Sequence, residues 1–243
     1  MAVKVFLFGR PGSGKSAVFR HIEKYLEEQY EDWPAVHFSD YEILQQMFQF
    51  EKLFQVDVER RKFLSSEHDG FDVRDFSVLD TALKELEKQV RYRWDPNKDE
   101  IIAIEFARDD YTKALKQFMP GFLQNAHFLF IEVSMKTCIR RIHERISQPI
   151  SADDHFVSEN ILQSYYSQQQ PPRHLERDYG IDASKIHIIH NGGSEQDLIK
   201  KVKRLVDTII KTDPHSSAIE ECSRRIAKKP YPVIPTRFNK VHV

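Results

Sequence analysis

The amino-acid sequence predicts an α/β fold: a five-stranded parallel sheet with helices on both faces. Three observations carry this reading. Short apolar runs rich in β-branched and aromatic residues recur at 3–8 (VKVFLF), 101–106 (IIAIEF) and 127–133 (HFLFIEV), as strands buried on both faces do. Amphipathic stretches at helical spacing lie between them. Strand and helix alternate along most of the chain, which implies βαβ units.

Taken in order, residues 3–8 form the first strand and 16–28 a helix, with Val18, Ile22, Tyr25 and Leu26 at helical spacing. A second strand covers 35–38 and ends at Ser39-Asp40; a helical pattern follows over 41–54. Residues 78–93 are strongly amphipathic, with Val78, Leu79, Ala82, Leu83, Leu86 and Val90 on one face. The third strand is 101–106. Residues 110–118 are helical, and Pro120-Gly121 breaks that helix. The fourth strand is 127–133, followed by a helix over 134–146 with Ser134 as N-cap. Residues 147–154 are polar, contain Pro149 and form a loop; 158–168 are helical. The fifth strand, 185–190, is closed by Asn191-Gly192-Gly193, and 198–210 is the last helix.

The 243 residues carry a formal net charge of −1, so there is no global attraction to nucleic acid or to an anionic membrane. No apolar run is long enough to span a bilayer. Residues 3–8 are too short for a signal sequence and run into a glycine-rich turn. The two cysteines, Cys138 and Cys222, form no Cys-x-x-Cys pair; they suit small hydrophobic positions in a reduced, cytoplasmic setting. From 223 to 243 there are six Lys or Arg and no Asp or Glu, with prolines at 230, 232 and 235. The expectation is one domain over 1–212 and an appended basic tail over 213–243.

The chemistry concentrates at Gly9-Arg10-Pro11-Gly12-Ser13-Gly14-Lys15-Ser16, which fits G-x-x-x-x-G-K-[ST] in full. Three of the 8 glycines fall within these residues, between a strand and a helix. A glycine-rich turn can aim successive backbone N–H groups inward at a phosphate chain. The helix that opens there adds its N-terminal N–H groups and dipole. Lys15 reaches the β- and γ-oxygens, and Ser16 offers a hydroxyl to Mg²⁺. With Ala17, residues 9–16 are the expected nucleotide-binding set.

On this motif and the order of elements, the sequence resembles the P-loop NTPase superfamily. Within it, the chain is similar to the small-molecule and nucleotide kinases, the group around adenylate, shikimate and gluconate kinases. The resemblance spans roughly 3–210, with the loop its one highly specific part. It implies a three-layer kinase-like fold with an acceptor-binding insert at about 41–95 and a lid at about 140–160. It further implies ATP and Mg²⁺ as cofactors and transfer of the terminal phosphoryl group to a small molecule. Neither a membrane nor a nucleic acid is expected as partner, and the oligomeric state is left open.

The same resemblance selects further residues. Asp40, at the end of the second strand, would bind the acceptor and orient or deprotonate its hydroxyl; an N-cap for the next helix explains it equally well. Glu105 would help hold Mg²⁺ with Ser16. Arg108 would meet an acceptor phosphate or carboxylate; an ion pair at a strand end accounts for both as well. Arg141 and Arg145, four apart on one helix face, would act catalytically as charge-neutralising arginines leading into the lid, whose tip is 147–154. A solvated basic face is the alternative for these two and for Arg140. His187 and His190 share no third ligand in sequence and suggest no metal site. Phe48, Phe54, Phe63 and Phe71 fit a core better than an acceptor pocket. A regulatory GTPase is excluded, because no glycine has an Asp three residues before it. A P-loop ATPase or nucleotide switch, or a kinase with a macromolecular acceptor, remains the alternative function.

Overall fold

A strand apolar at every position can only sit inside a sheet covered on both faces. In the computed structural model, β1 (Ala2–Phe8) is apolar at every position but Lys4 and is buried at all seven residues. The structure describes residues 2–66, 70–95, 97–147, 156–169 and 174–212. Its contacts divide the chain into two units, Met1–Val206 and Asp207–Val243. The sheet and the site belong to the first; of the second, only the end of the last helix is described. The tail at 213–243 and the lid tip beyond Ser147 lie outside the described residues.

β1 leads through a six-residue loop to α1 (Lys15–Gln29), then β2 (Ala35–Ser39) and α2 (Asp40–Leu53). A short hairpin follows, β3 (Phe63–Ser65) and β4 (Phe71–Val73), then α3 (Ser77–Arg93) and β5 (Glu100–Phe106). Next come α4 (Tyr111–Leu115), α5 (Pro120–Leu123), β6 (His127–Glu132), α6 (Met135–Ser147), α7 (Glu159–Ser164) and α8 (Leu175–Tyr179). β7 (Ile186–His190) and α9 (Glu195–Thr212) close the series. The strand order is β2-β5-β1-β6-β7, with every adjacent pair parallel. Such a sheet opens its ligand crevice at the carboxyl ends of the strands.

One face of the sheet is unusually aromatic. Phe6 stacks on Phe128 with centroids 5.0 Å apart, and Phe8 stacks on Tyr111 at 4.4 Å. The stripe Val78, Ala82, Leu83, Leu86 and Val90 of α3 joins this core. Among the described residues, no helix is long and apolar enough to cross a membrane.

Three expectations are corrected. Pro120 does not end a helix: it opens α5, where the proline forfeits no helical bond. The helix expected over 110–118 is shorter, capped by the Asp110 carboxylate accepting from Lys113 N–H. The helix expected over 158–168 ends at Ser164, giving way to turns. The β3–β4 hairpin and α8 have no counterpart in the sequence reading; at three and five residues they are too short to show a period.

Candidate functional site

The loop between β1 and α1 is built for a close approach. Gly12 and Gly14 adopt φ of +77° and +101°, values that side chains with a Cβ rarely take. A Cβ on Gly12 would stand 2.6 Å from the Cys138 carbonyl oxygen, and one on Gly14 would collide with the Asn191 amide. Gly14 is also the N-cap of α1 and offers no side chain, and the first turn of α1 holds no acidic residue. The N–H groups at that end are therefore left to an incoming anion.

The loop is braced from three sides. Tyr111 Oη accepts from Gly9 N–H at 2.8 Å, and Gln169 Nε2 donates to the same oxygen at 3.1 Å. Arg10 points away from the loop interior, donating to backbone oxygens of Tyr166, Val133 and Gln169. Asn191 Nδ2 and Arg141 Nη1 both donate to the Ser13 carbonyl, at 2.8 and 3.3 Å, and Arg141 Nη2 donates to the Asn191 carbonyl at 2.9 Å. Burial lowers Arg141 from its ordinary value, yet a guanidinium stays charged.

Lys15 is buried beneath the loop. Its ammonium donates to the Gly9 and Arg10 carbonyls at 3.0 and 3.2 Å and lies 3.6 Å from Glu105 Oε1. His37 Nε2 meets Glu105 Oε2 at 3.0 Å, so Glu105 stands between a lysine and a histidine at the carboxyl end of β5. Ser16, Lys15 and Glu105 line one cavity of about 290 Å³. No cluster of three or more His, Cys, Asp or Glu with metal-binding geometry occurs among the described residues. A cation here would draw on the oxygens of Ser16 and Glu105, completed by phosphate and water, which is how Mg²⁺ is commonly held.

The same cavity continues past Lys15 to a second wall. The N-cap of α2 is Ser39, whose hydroxyl accepts from Tyr41 N–H at 3.2 Å. Asp40, the first helical residue, instead accepts from Arg108 Nη1 through Oδ2 at 2.5 Å, both side chains being buried. Arg108 also donates to the carbonyls of Ala107 at 2.6 Å and Leu79 at 2.8 Å, while its buried Nε has no hydrogen-bond partner. The two residues expected to meet an acceptor separately are thus joined to each other. Burial pushes the Asp40 carboxyl upward, against the pull of Arg108 and then Lys15. Arg108 keeps its charge, because a guanidinium has no accessible neutral form.

Arg145 lines the cavity with Arg141, whereas Arg140 bonds Glu144 on the exposed face. Phe48, Phe63 and Phe71 pack together with centroids 5.1 to 6.0 Å apart; Phe54 is exposed, and Phe71 reaches the cavity wall. His187 bonds His127 at 3.0 Å and His190 bonds Glu132 at 2.9 Å. Tyr111, Gln169 and Asn191 were not singled out by sequence. Asn191 had a signal, as the first residue after the fifth strand in a parallel sheet; the other two had none.

Comparison with solved structures gives overlap along nearly the whole of each partner. Kti12 from Chaetomium thermophilum, in complex with ADP-AlF3, matches at TM-score 0.54 and 15% identity, covering 85% of this chain and 98% of that one. A sugar kinase from a Janibacter species matches at TM-score 0.50 and 15% identity, covering 86% and 96%. The chain has the P-loop NTPase kinase-like fold. In that P-loop fold the glycine-rich turn, β2 and β5 all present their carboxyl ends to one crevice, which is where Lys15, Asp40 and Glu105 lie. Comparison with protein-family models gives no match, nor does comparison with curated proteins.

Proposed function

We propose that the protein is an ATP-dependent kinase that transfers the terminal phosphoryl group of ATP to a small molecule. The observation behind this reading is the continuity of one cavity from the phosphate loop and Lys15 to the Asp40–Arg108 wall. A phosphate site alone serves any nucleotide-binding protein. A buried carboxylate beyond the γ-end of that site suits an acceptor hydroxyl.

In this reading the loop N–H groups and Lys15 hold the β- and γ-phosphates. Phosphoryl transfer spreads negative charge over the γ-oxygens, so pre-placed cations do most of the work. Lys15 must leave the Gly9 and Arg10 carbonyls to reach those oxygens. Arg141 and Arg145, on the wall above the loop, add charge there. Asp40, fixed by Arg108, orients the acceptor hydroxyl and takes its proton. Ser16 and Glu105 fit Mg²⁺, which would supply neutralisation of the phosphate oxygens. The buried free thiol of Cys138 suits a reducing compartment such as the cytoplasm.

The test is ADP formation by the full chain with and without a panel of metabolites. A kinase turns over slowly alone and rapidly with its acceptor; uniform ATP hydrolysis across the panel refutes the reading. A second reading, a nucleotide-dependent switch without a small acceptor, has one observation in its favour: Kti12, the structure with a TM-score of 0.54, does not carry a kinase name. Hydrolysis stimulated by a protein or RNA and by no metabolite would select it.

A further inference from the structure

The kinase reading leaves the acceptor open, and the wall opposite the loop narrows it. Two aromatic pairs build that wall. Tyr41 stacks on Phe71 with centroids 5.7 Å apart and planes at 6°, joining the start of α2 to the β3–β4 hairpin. Phe76 stacks on Tyr165 at 4.8 Å and 24°, joining the entry of α3 to the residue after α7. Leu44, Val73, Leu79 and Ile161 fill in around them. Phe76 is 42% exposed, so its ring is spread over a solvent-facing rim and is not part of the core.

Charge is distributed differently. Besides His37, five lysines and arginines line the cavity: Lys15, Arg20, Arg108, Arg141 and Arg145. Three acids line it: Asp40, Asp72 and Glu105. The excess of two positive charges is matched by MgATP, itself a dianion. Arg108 is the cation of the wall that faces Asp40; its two terminal nitrogens are already bonded to Asp40 and to two carbonyls, which leaves only the buried Nε without a partner. Asp40 and Asp72 add negative charge on that side. An acceptor phosphate, sulfate or carboxylate would meet two carboxylates and a guanidinium already engaged by one of them, a poor match for an anion.

We propose, resting on the kinase reading, that the acceptor is an uncharged, flat, hydroxyl-bearing aromatic molecule seated against the Tyr41–Phe71 and Phe76–Tyr165 rings. Ring faces hold a planar π-system by offset stacking. The flat body places its hydroxyl toward Asp40. The hydroxyl oxygen forms a bond to the γ-phosphorus, and the bond from that phosphorus to the β–γ bridging oxygen breaks. ADP leaves with that electron pair, and the hydroxyl proton passes to the Asp40 carboxylate. Nucleosides and hydroxymethyl-substituted pyridines or pyrimidines share this chemistry.

The test uses the full chain with MgATP and four groups of acceptors: uncharged nucleosides, hydroxymethyl pyridines and pyrimidines, the matching nucleoside monophosphates, and aldoses. ADP release is read together with product mass. Acceptor binding without metal or nucleotide is read separately, by saturation-transfer NMR. At least one member of the first two groups should speed ADP release about tenfold or more and gain one phosphoryl mass, with its matching phosphate much weaker. Phe76→Ala should raise the KM of that acceptor about tenfold, leave the ATP affinity unchanged, and be rescued by Phe76→Tyr. Stimulation by monophosphates or aldoses alone overturns the proposal and leaves the kinase reading standing. ATP binding with no stimulation by any group also overturns it. Weakened ATP binding in Phe76→Ala with the acceptor unaffected assigns the wall to the nucleotide base and overturns it too. Failure of ATP to bind at all removes the kinase reading itself.

Discussion

Asp40→Ala is the substitution with the sharpest consequence for the fold. It deletes one member of an ion pair whose side chains are 7% and 5% exposed and whose atoms are 2.5 Å apart. At an effective dielectric constant near 20, such a contact is worth roughly 7 kcal/mol of attraction before desolvation is charged against it. Removing one partner of a buried pair costs about 3–5 kcal/mol, because the other charge is left without compensation. Arg108 keeps its bonds to the Ala107 and Leu79 carbonyls, which places the expected loss near 3 kcal/mol. For a domain of this length that lowers Tm by roughly 6–12 °C. The double variant Asp40→Ala/Arg108→Leu removes the orphaned guanidinium as well and should recover part of the loss. Urea unfolding of the wild type, both single variants and the double variant closes the cycle. Strict additivity, with no coupling between the two sites, would refute the ion pair as the feature that fixes Asp40.

Three further outcomes are expected. Tyr111→Phe leaves the Gly9 N–H and the Gln169 amide without their shared oxygen; it should cost about 1–2 kcal/mol in urea unfolding and weaken ATP binding measured by calorimetry. Gly12→Ala brings a Cβ to 2.6 Å from the Cys138 carbonyl at φ +77° and should abolish ATP binding while the circular dichroism spectrum stays that of the wild type. The pair of buried His127 and half-buried His187 should make the fold acid-sensitive. Burial, then the neighbouring His187 and Lys185, pushes His127 down to about 3, and burial lowers His187 as well. The unfolded chain therefore binds more protons between about 3 and the ordinary histidine value of 6.5. Stability is present in full above that upper value and is lost as pH falls toward the lower one. Urea midpoints should drop across this range, and His127→Leu should flatten the dependence.

Much of the fold was readable because its strands are buried on both faces. The runs 3–8, 101–106 and 127–133 have no competing interpretation, and all three lie in the centre of the sheet. Elements stabilised by tertiary contacts were not readable. The β3–β4 hairpin rests on Phe63 and Phe71 packing against Phe48, a set scattered over 24 positions with no period. Proline at 120 was misread because its effect depends on position: at the first turn of a helix it starts what it would otherwise stop. In the site, the glycine pattern fixed the loop's conformation in advance. The bracing by Tyr111, Gln169 and Asn191 depends on residues 58 or more positions from their partners, and sequence spacing carries no trace of such contacts. Asp40 and Arg108 were each visible as polar residues at strand ends, but their pairing across 68 positions was not.

Titration of the full chain with ATP, in the presence of magnesium, by isothermal calorimetry decides whether residues 9–16 hold a polyphosphate. One site is expected, with a Kd within roughly 1 μM–1 mM, and Lys15→Ala should weaken it while leaving Tm within a few degrees of wild type. Absence of binding by either ATP or GTP to the folded chain would contradict the assignment of residues 9–16 as a polyphosphate cradle.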